Sequence, residues 1–148
     1  MARAGASKIG EVAPPLELPD TEGDVRGLPE PGEASATVVI WTCNHCPYAL
    51  AWHDRLVKAA EDYGPRGVRF FAVNSNDAER YPLDSLDAMR ERAREEQWPF
   101  PYLHDESQGA AVAWAAMVPA SIIILSSAHH LRSHAFAPCR SNRPGKMP

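Results

Sequence analysis

At 148 residues and 16.2 kDa, with 45% hydrophobic and 23% charged residues, the chain has the length and composition of one folded domain with its own core. A net charge of −4 and a pI near 5.8 give no support to nucleic-acid binding. The β-branched runs at residues 38–41 and 122–125, and even the longest apolar run, residues 110–118, fall far short of the roughly 20 residues a membrane span needs. No charged stretch followed by an apolar segment opens the chain, so no signal peptide is expected and the expected location is cytoplasmic. Charge is distributed unevenly. All 19 acidic residues lie at or before Glu106, so residues 1–106 carry −8 and the remaining 42 carry +4.

Residues 1–8 are small and polar and read as a frayed start. Residues 13–19 (APPLELP) carry too many prolines for a central strand and suit an edge strand, folded back by the turn signal 21–24 (TEGD). Residues 37–41 (TVVIW) form a β-branched apolar run, the mark of a buried strand. They lead directly into Cys43-Asn44-His45-Cys46. A helical pattern follows, with Tyr48, Trp52, Leu56, Ala59 and Tyr63 on its inner face and Gly64-Pro65 as its stop. Residues 68–73 (VRFFAV) are a second buried strand. Asp84 or Ser85 can cap a helix to about Gln97, with Leu86, Met89 and Ala93 inward. A short extended piece spans 100–103, and the Ala-rich stretch 107–117 reads as a helix stopped by Pro119. Residues 121–125 (SIIIL) give a further buried strand and 131–136 an edge strand. Strands alternating with helices place the chain in the α/β class.

Cysteine is sparse: Cys43, Cys46 and Cys139, too few for a secreted disulfide framework. A C-x-x-C at a helix start puts both sulfurs on one turn. The unpaired N–H groups and the positive end of the helix dipole there favour a thiolate at Cys43. Cys43 is therefore the expected nucleophile and Cys46 the resolving thiol, with His45 as a neighbouring donor that lowers the thiol pKa. The competing reading is a zinc site or two buried thiols. The missing zinc ligands would come from His130-x3-His134 or Cys139. His53 is read as a surface-helix histidine and Asp54 as solvated. Trp41 is assigned to the core, with a contact toward the disulfide region and its substrate. Cys139 is read as an incidental thiol.

The chain resembles the thioredoxin-fold proteins of the alkyl hydroperoxide reductase/thiol-specific antioxidant family, in particular those bearing a C-N-H-C-P-Y motif. The matching segments are 9–14 (IGEVAP), 41–48 (WTCNHCPY), 74–82 (NSNDAERYP) and 99–103 (PFPYL). The resemblance implies a thioredoxin-like fold, a central mixed sheet flanked by helices, over residues 9–137. It implies a cis-proline at Pro119 with Val118 before it, facing the cysteines as a substrate-binding element. It also implies a closing C-terminal helix, which the proline-bearing tail 138–148 does not fit. A truncated family member is expected on that ground.

The resemblance further implies thiol–disulfide exchange without metal or organic cofactor. Its substrates would be protein or small-molecule disulfides and thiols, served by an upstream thiol reductant. Direct peroxide reduction is less favoured. Counting back from Cys43, the Pro and Thr/Ser positions of the P-x-x-x-[TS]-x-x-C pattern are Ala36 and Ile40. From Cys46 they are Val39 and Cys43. The alternatives are a thioredoxin-fold binding module with impaired catalysis and an antioxidant thiol peroxidase.

Overall fold

The computed structural model of the protein describes residues 8–116 and 121–136. Two short strands, β1 (Glu17–Pro19) and β2 (Val25–Gly27), form an antiparallel hairpin across the expected turn. Asp20 is buried in that turn and accepts the amides of Glu22 and Asp24 and the Arg26 guanidinium. A bridge between Asp20 and Leu103 ties the hairpin to the main sheet.

The main sheet holds β3 (Ala36–Trp41), β4 (Val68–Asn74), β5 (Tyr102–His104), β6 (Ser121–Ser126) and β7 (Leu131–Phe136). Its spatial order is β5-β4-β3-β6-β7, parallel from β5 to β3 and antiparallel from β3 to β7. The mixed α/β sheet expected from the sequence is present. Strand alternation sorts side chains onto two faces. Val39, Trp41, Phe71, Val73, Leu103, Ile123 and Leu125 bury on one face, covered by Leu16, Trp114 and the short helix α3 (Gly109–Ala113). Ala72, Tyr102 and Phe100 bury on the other, beneath α1 (Pro47–Tyr63) and α2 (Leu86–Glu95) through Ala60 and Met89.

Several local expectations need correction. The buried face of α1 runs through Ala49, Val57 and Ala60, while Tyr48 and Tyr63 are 48% and 49% exposed. The small residues let the helix approach β4, and the tyrosines stay at the rim. Helix α3 stops at Ala113, short of 117, because the chain turns left-handed at Ala115 (φ +55°). Its first turn is held by the buried Asp105, which accepts the amides of Ala110 and Ala111 and the Ser75 hydroxyl. The β6–β7 turn contains no glycine, and His129 takes the left-handed position (φ +62°). The Ser126 hydroxyl then accepts the His130 amide. Val118, Pro119, Cys139 and the tail lie outside the described residues, and with them the expected cis-proline and the place of a closing helix. Among the described residues no helix is long and apolar enough to cross a membrane.

Candidate active site

Strand β3 ends at Trp41, and the next peptide is still anchored to the sheet, the Thr42 amide donating to the Val73 carbonyl. The Cys43–Cys46 turn follows immediately. Cys46 is the N-cap of α1, Pro47 occupies the first helical position, and the Leu50 amide closes the first turn on the Cys46 carbonyl. The cysteines thus stand where the central strand hands over to the helix. They are 4.2 Å apart and not joined by a disulfide.

The electrostatics of Cys43 differ from the sequence expectation. Its sulfur accepts the Cys46 amide at 3.2 Å, so the amide groups at the helix start do point at it. Yet Cys43 is completely buried (0% exposed), and burial pushes the thiol up to about 12. The Asp84 and Cys46 charges push the same way, and the amides of Cys46 and His45 oppose the rise. Burial outweighs the helix start, and Cys43 rests as a neutral thiol rather than the expected thiolate. Cys46 is only partly covered. Brief treatment of the reduced protein with iodoacetamide near pH 7 should therefore modify Cys46 before Cys43, by about tenfold or more. Peptide mass spectrometry after limited alkylation measures the ratio.

The residue that organises the turn is one the sequence offers only as a possible helix cap. Ser85 is the cap of α2, its hydroxyl accepting the Ala88 amide. Asp84, one residue earlier, is fully buried and faces the cysteine turn. One carboxylate oxygen accepts the Asn44 amide at 2.6 Å and the Asn74 side-chain amide at 3.0 Å. The other accepts the Asn76 side-chain amide at 3.0 Å and pairs with Nδ1 of His45. Burial alone would raise the Asp84 pKa. The donated hydrogen bonds from Asn44, Asn76, Asn74 and His45 overcome that and hold it below the ordinary carboxylate value. A buried carboxylate thus stands beside Cys43 although the strand 37–42 contains none. The ring of His45 is stacked on Tyr81 at 4.5 Å.

A second layer fixes the loop from the far side. Arg92 donates to the Cys43 carbonyl at 3.1 Å and to Asn44 Oδ1 at 3.2 Å, and its guanidinium lies over Trp98. The buried Tyr102 donates to the same Asn44 oxygen at 2.9 Å. Asn44 also donates to the Leu83 carbonyl at 2.8 Å. Both middle residues of the C-x-x-C turn are consequently bound to the segment before α2. His53 is not a surface histidine. It packs on Trp98 and pairs with Glu96 at 3.0 Å, and burial pushes its imidazole below the ordinary value. Trp41 is buried as expected and lies against Trp114, with ring centroids 5.5 Å apart.

Of the predicted site residues, the structure brings together Cys43, His45 and Cys46. It places Trp41 in the core beneath them, and Val118 and Pro119 lie outside the described residues. Of the zinc partners read from sequence, His130 and His134 do not join the cysteines, and Cys139 lies outside the described residues. The one group of three potential metal-binding side chains among the described residues is Cys43, His45 and Asp84. His130 sits at the opposite end of the sheet, where Ser126 pairs with Ala36.

Residues 9–136 match the AhpC/TSA family. The chain belongs to the AhpC/TSA family. None of the curated proteins matches the sequence. Among solved structures, an uncharacterised conserved protein from Geobacillus kaustophilus is 37% identical with a TM-score of 0.87. The match covers 96% of this chain and 76% of that one. A hypothetical protein from Sinorhizobium meliloti is 29% identical (TM-score 0.86), over 96% of this chain and 78% of that one. The thioredoxin domain of a thiol-disulfide oxidoreductase from Bacteroides vulgatus shares the fold at 13% identity (TM-score 0.73), over 88% of this chain and 90% of that one. This AhpC/TSA-family chain therefore has a thioredoxin-like fold, with its C-x-x-C turn at the end of the central strand.

Proposed function

We propose that the protein is a thiol–disulfide oxidoreductase that cycles Cys43 and Cys46 between dithiol and disulfide. The observation that carries this reading is the pair of adjacent, unbonded cysteines at the strand-to-helix junction, held from behind by Asp84 and Arg92. The description of structural neighbours as thiol-disulfide oxidoreductases adds support. Cys43 loses its proton, with His45 as acceptor and the Asp84 carboxylate stabilising the imidazolium. The Cys43 sulfur attacks one sulfur of a substrate disulfide. The substrate S–S bond breaks, and the departing thiolate takes up a proton. Cys46 then attacks Cys43, forms the internal disulfide and releases the second substrate thiol. The substrate gains two electrons and the protein loses them, and an upstream thiol reductant restores the dithiol.

Motif order assigns the attack to Cys43. The amides of Cys46 and His45 aimed at its sulfur stabilise the thiolate against the cost of burial. By the family resemblance Val118 and Pro119 are the substrate-binding residues of this reading, and sparse cysteine use suits a reducing, cytoplasmic compartment. With dithiothreitol as reductant, the protein should accelerate reduction of insulin disulfides, followed as turbidity. It should consume hydrogen peroxide far more slowly, since neither cysteine has the proline and hydroxyl spacing of a peroxidatic site. Peroxide consumption without disulfide reduction would overturn the assignment.

A further inference from the structure

We propose that Cys43, His45 and Asp84, with Cys46 as fourth donor, form a binding site for a divalent cation of the zinc class when the thiols are reduced. Donor atoms of the first three lie within 4.8 Å of one another. Cys46 is 4.2 Å from Cys43 but lies outside that 4.8 Å cluster, so it joins as fourth donor by moving toward His45 and Asp84. Two thiolates on one tetrahedral ion, with bonds of about 2.3 Å, stand about 3.8 Å apart, so the pair needs little adjustment.

Charge supplies the second argument. Asp84 is fully buried, and its partners Asn44, Asn74 and Asn76 are neutral donors. Only His45 among its hydrogen-bond partners can bring positive charge to it. A buried carboxylate of this kind is stabilised by a cation. A bound ion would displace the proton that His45 Nδ1 donates to the Asp84 oxygen, and these two atoms, now in hydrogen-bond contact, would separate to about 3.3 Å to share it. The surroundings are built for it. The three asparagines hold the carboxylate, and Tyr81 stacks on the imidazole. Two sulfurs, one imidazole and one carboxylate select a borderline-soft ion over calcium or magnesium, which take oxygen ligands. The site uses the same reduced pair as the exchange reading but does not depend on exchange occurring. A disulfide consumes both thiolates, so bound metal and the oxidised state exclude each other.

The test is an anaerobic titration of the reduced full chain with Co²⁺ alone, followed by Zn²⁺. One equivalent of cobalt should give thiolate-to-metal charge-transfer absorption and intense tetrahedral ligand-field bands, both bleached by zinc. His45→Ala should weaken binding by at least about tenfold, and Cys46→Ser should lower the charge-transfer intensity. His130→Ala, remote from the cluster, should bind as the unaltered protein does. Protein oxidised to the disulfide should show no bands. Circular-dichroism melts establish that each variant is folded, and Asp84→Asn serves as a second probe should His45→Ala fail to fold. Absence of charge-transfer absorption at a large cobalt excess overturns the site. So does affinity unchanged in folded His45→Ala and Asp84→Asn, since the cysteines alone would then be the ligands. Neither result depends on disulfide exchange, whose loss is read separately in the insulin assay.

Discussion

Replacing Cys43 with serine should reduce insulin-disulfide reduction by about a thousandfold or more, because a nucleophile that acts as part of a unit has no substitute. Cys46→Ser should abolish turnover as well, for a different reason. Attack at Cys43 still proceeds, but nothing resolves the adduct, and a mixed disulfide accumulates at Cys43. Non-reducing electrophoresis with peptide mapping distinguishes the two variants. The burial of Cys43 gives the comparison its force. If the partly covered Cys46 were the attacking thiol, Cys43→Ser would be the variant that accumulates adduct, at Cys46. That outcome would reverse the assigned roles while leaving the pair intact. Both cysteines stand on a turn anchored by main-chain bonds, so a serine at either position leaves the fold in place.

Asp84 should carry the largest stability effect outside the hydrophobic core. Asp84→Ala removes the acceptor for the Asn44 amide, Asn74, Asn76 and His45, all around a buried position. Leaving such donors unpaired should cost about 3 kcal/mol, read from urea denaturation. Asp84→Asn preserves the shape but inverts half of the hydrogen bonding, so its cost should be similar. The same residue sets a pH signature. Its folded-state pKa lies below the ordinary value of 3.8. Its contribution is therefore present above that value and is lost as pH falls through the lower folded-state value. The unaltered protein should lose stability on acidification through this window more steeply than Asp84→Asn. Equal slopes for the two would show that the carboxylate is not held ionised by its neighbours.

Much of this was legible in the sequence. The β-branched run ending at Trp41 and the alternation of strands and helices gave the sheet, and the C-x-x-C after that strand gave the turn. Asp84 was not legible as a site residue. Forty residues separate it from Asn44, and its position before Ser85 made it one of two equal cap candidates. Asn74 and Asn76 belong to the segment 74–82 that carries the family resemblance, but its residue types do not say what their side chains hold. Here their side chains serve the Asp84 carboxylate. Only the parallel pairing of β3 with β4 brings that loop beside the cysteines. The Cys43 thiol went against expectation for a related reason. Proximity to a helix start can be read from spacing, but complete burial and a neighbouring carboxylate are tertiary facts. His53 likewise acquires its partners Glu96 and Trp98 from the end of α2 and the segment beyond it.

The central claim is that Cys43 and Cys46 form one redox couple. Equilibration of the protein across glutathione buffers, with acid quenching, alkylation of free thiols and mass analysis, measures this directly. The account predicts that both cysteines disappear from the free-thiol pool together, in a single two-electron transition to an internal disulfide that includes no glutathione adduct. Independent titration of the two thiols, or stable glutathionylation at either one without their linkage, would contradict it.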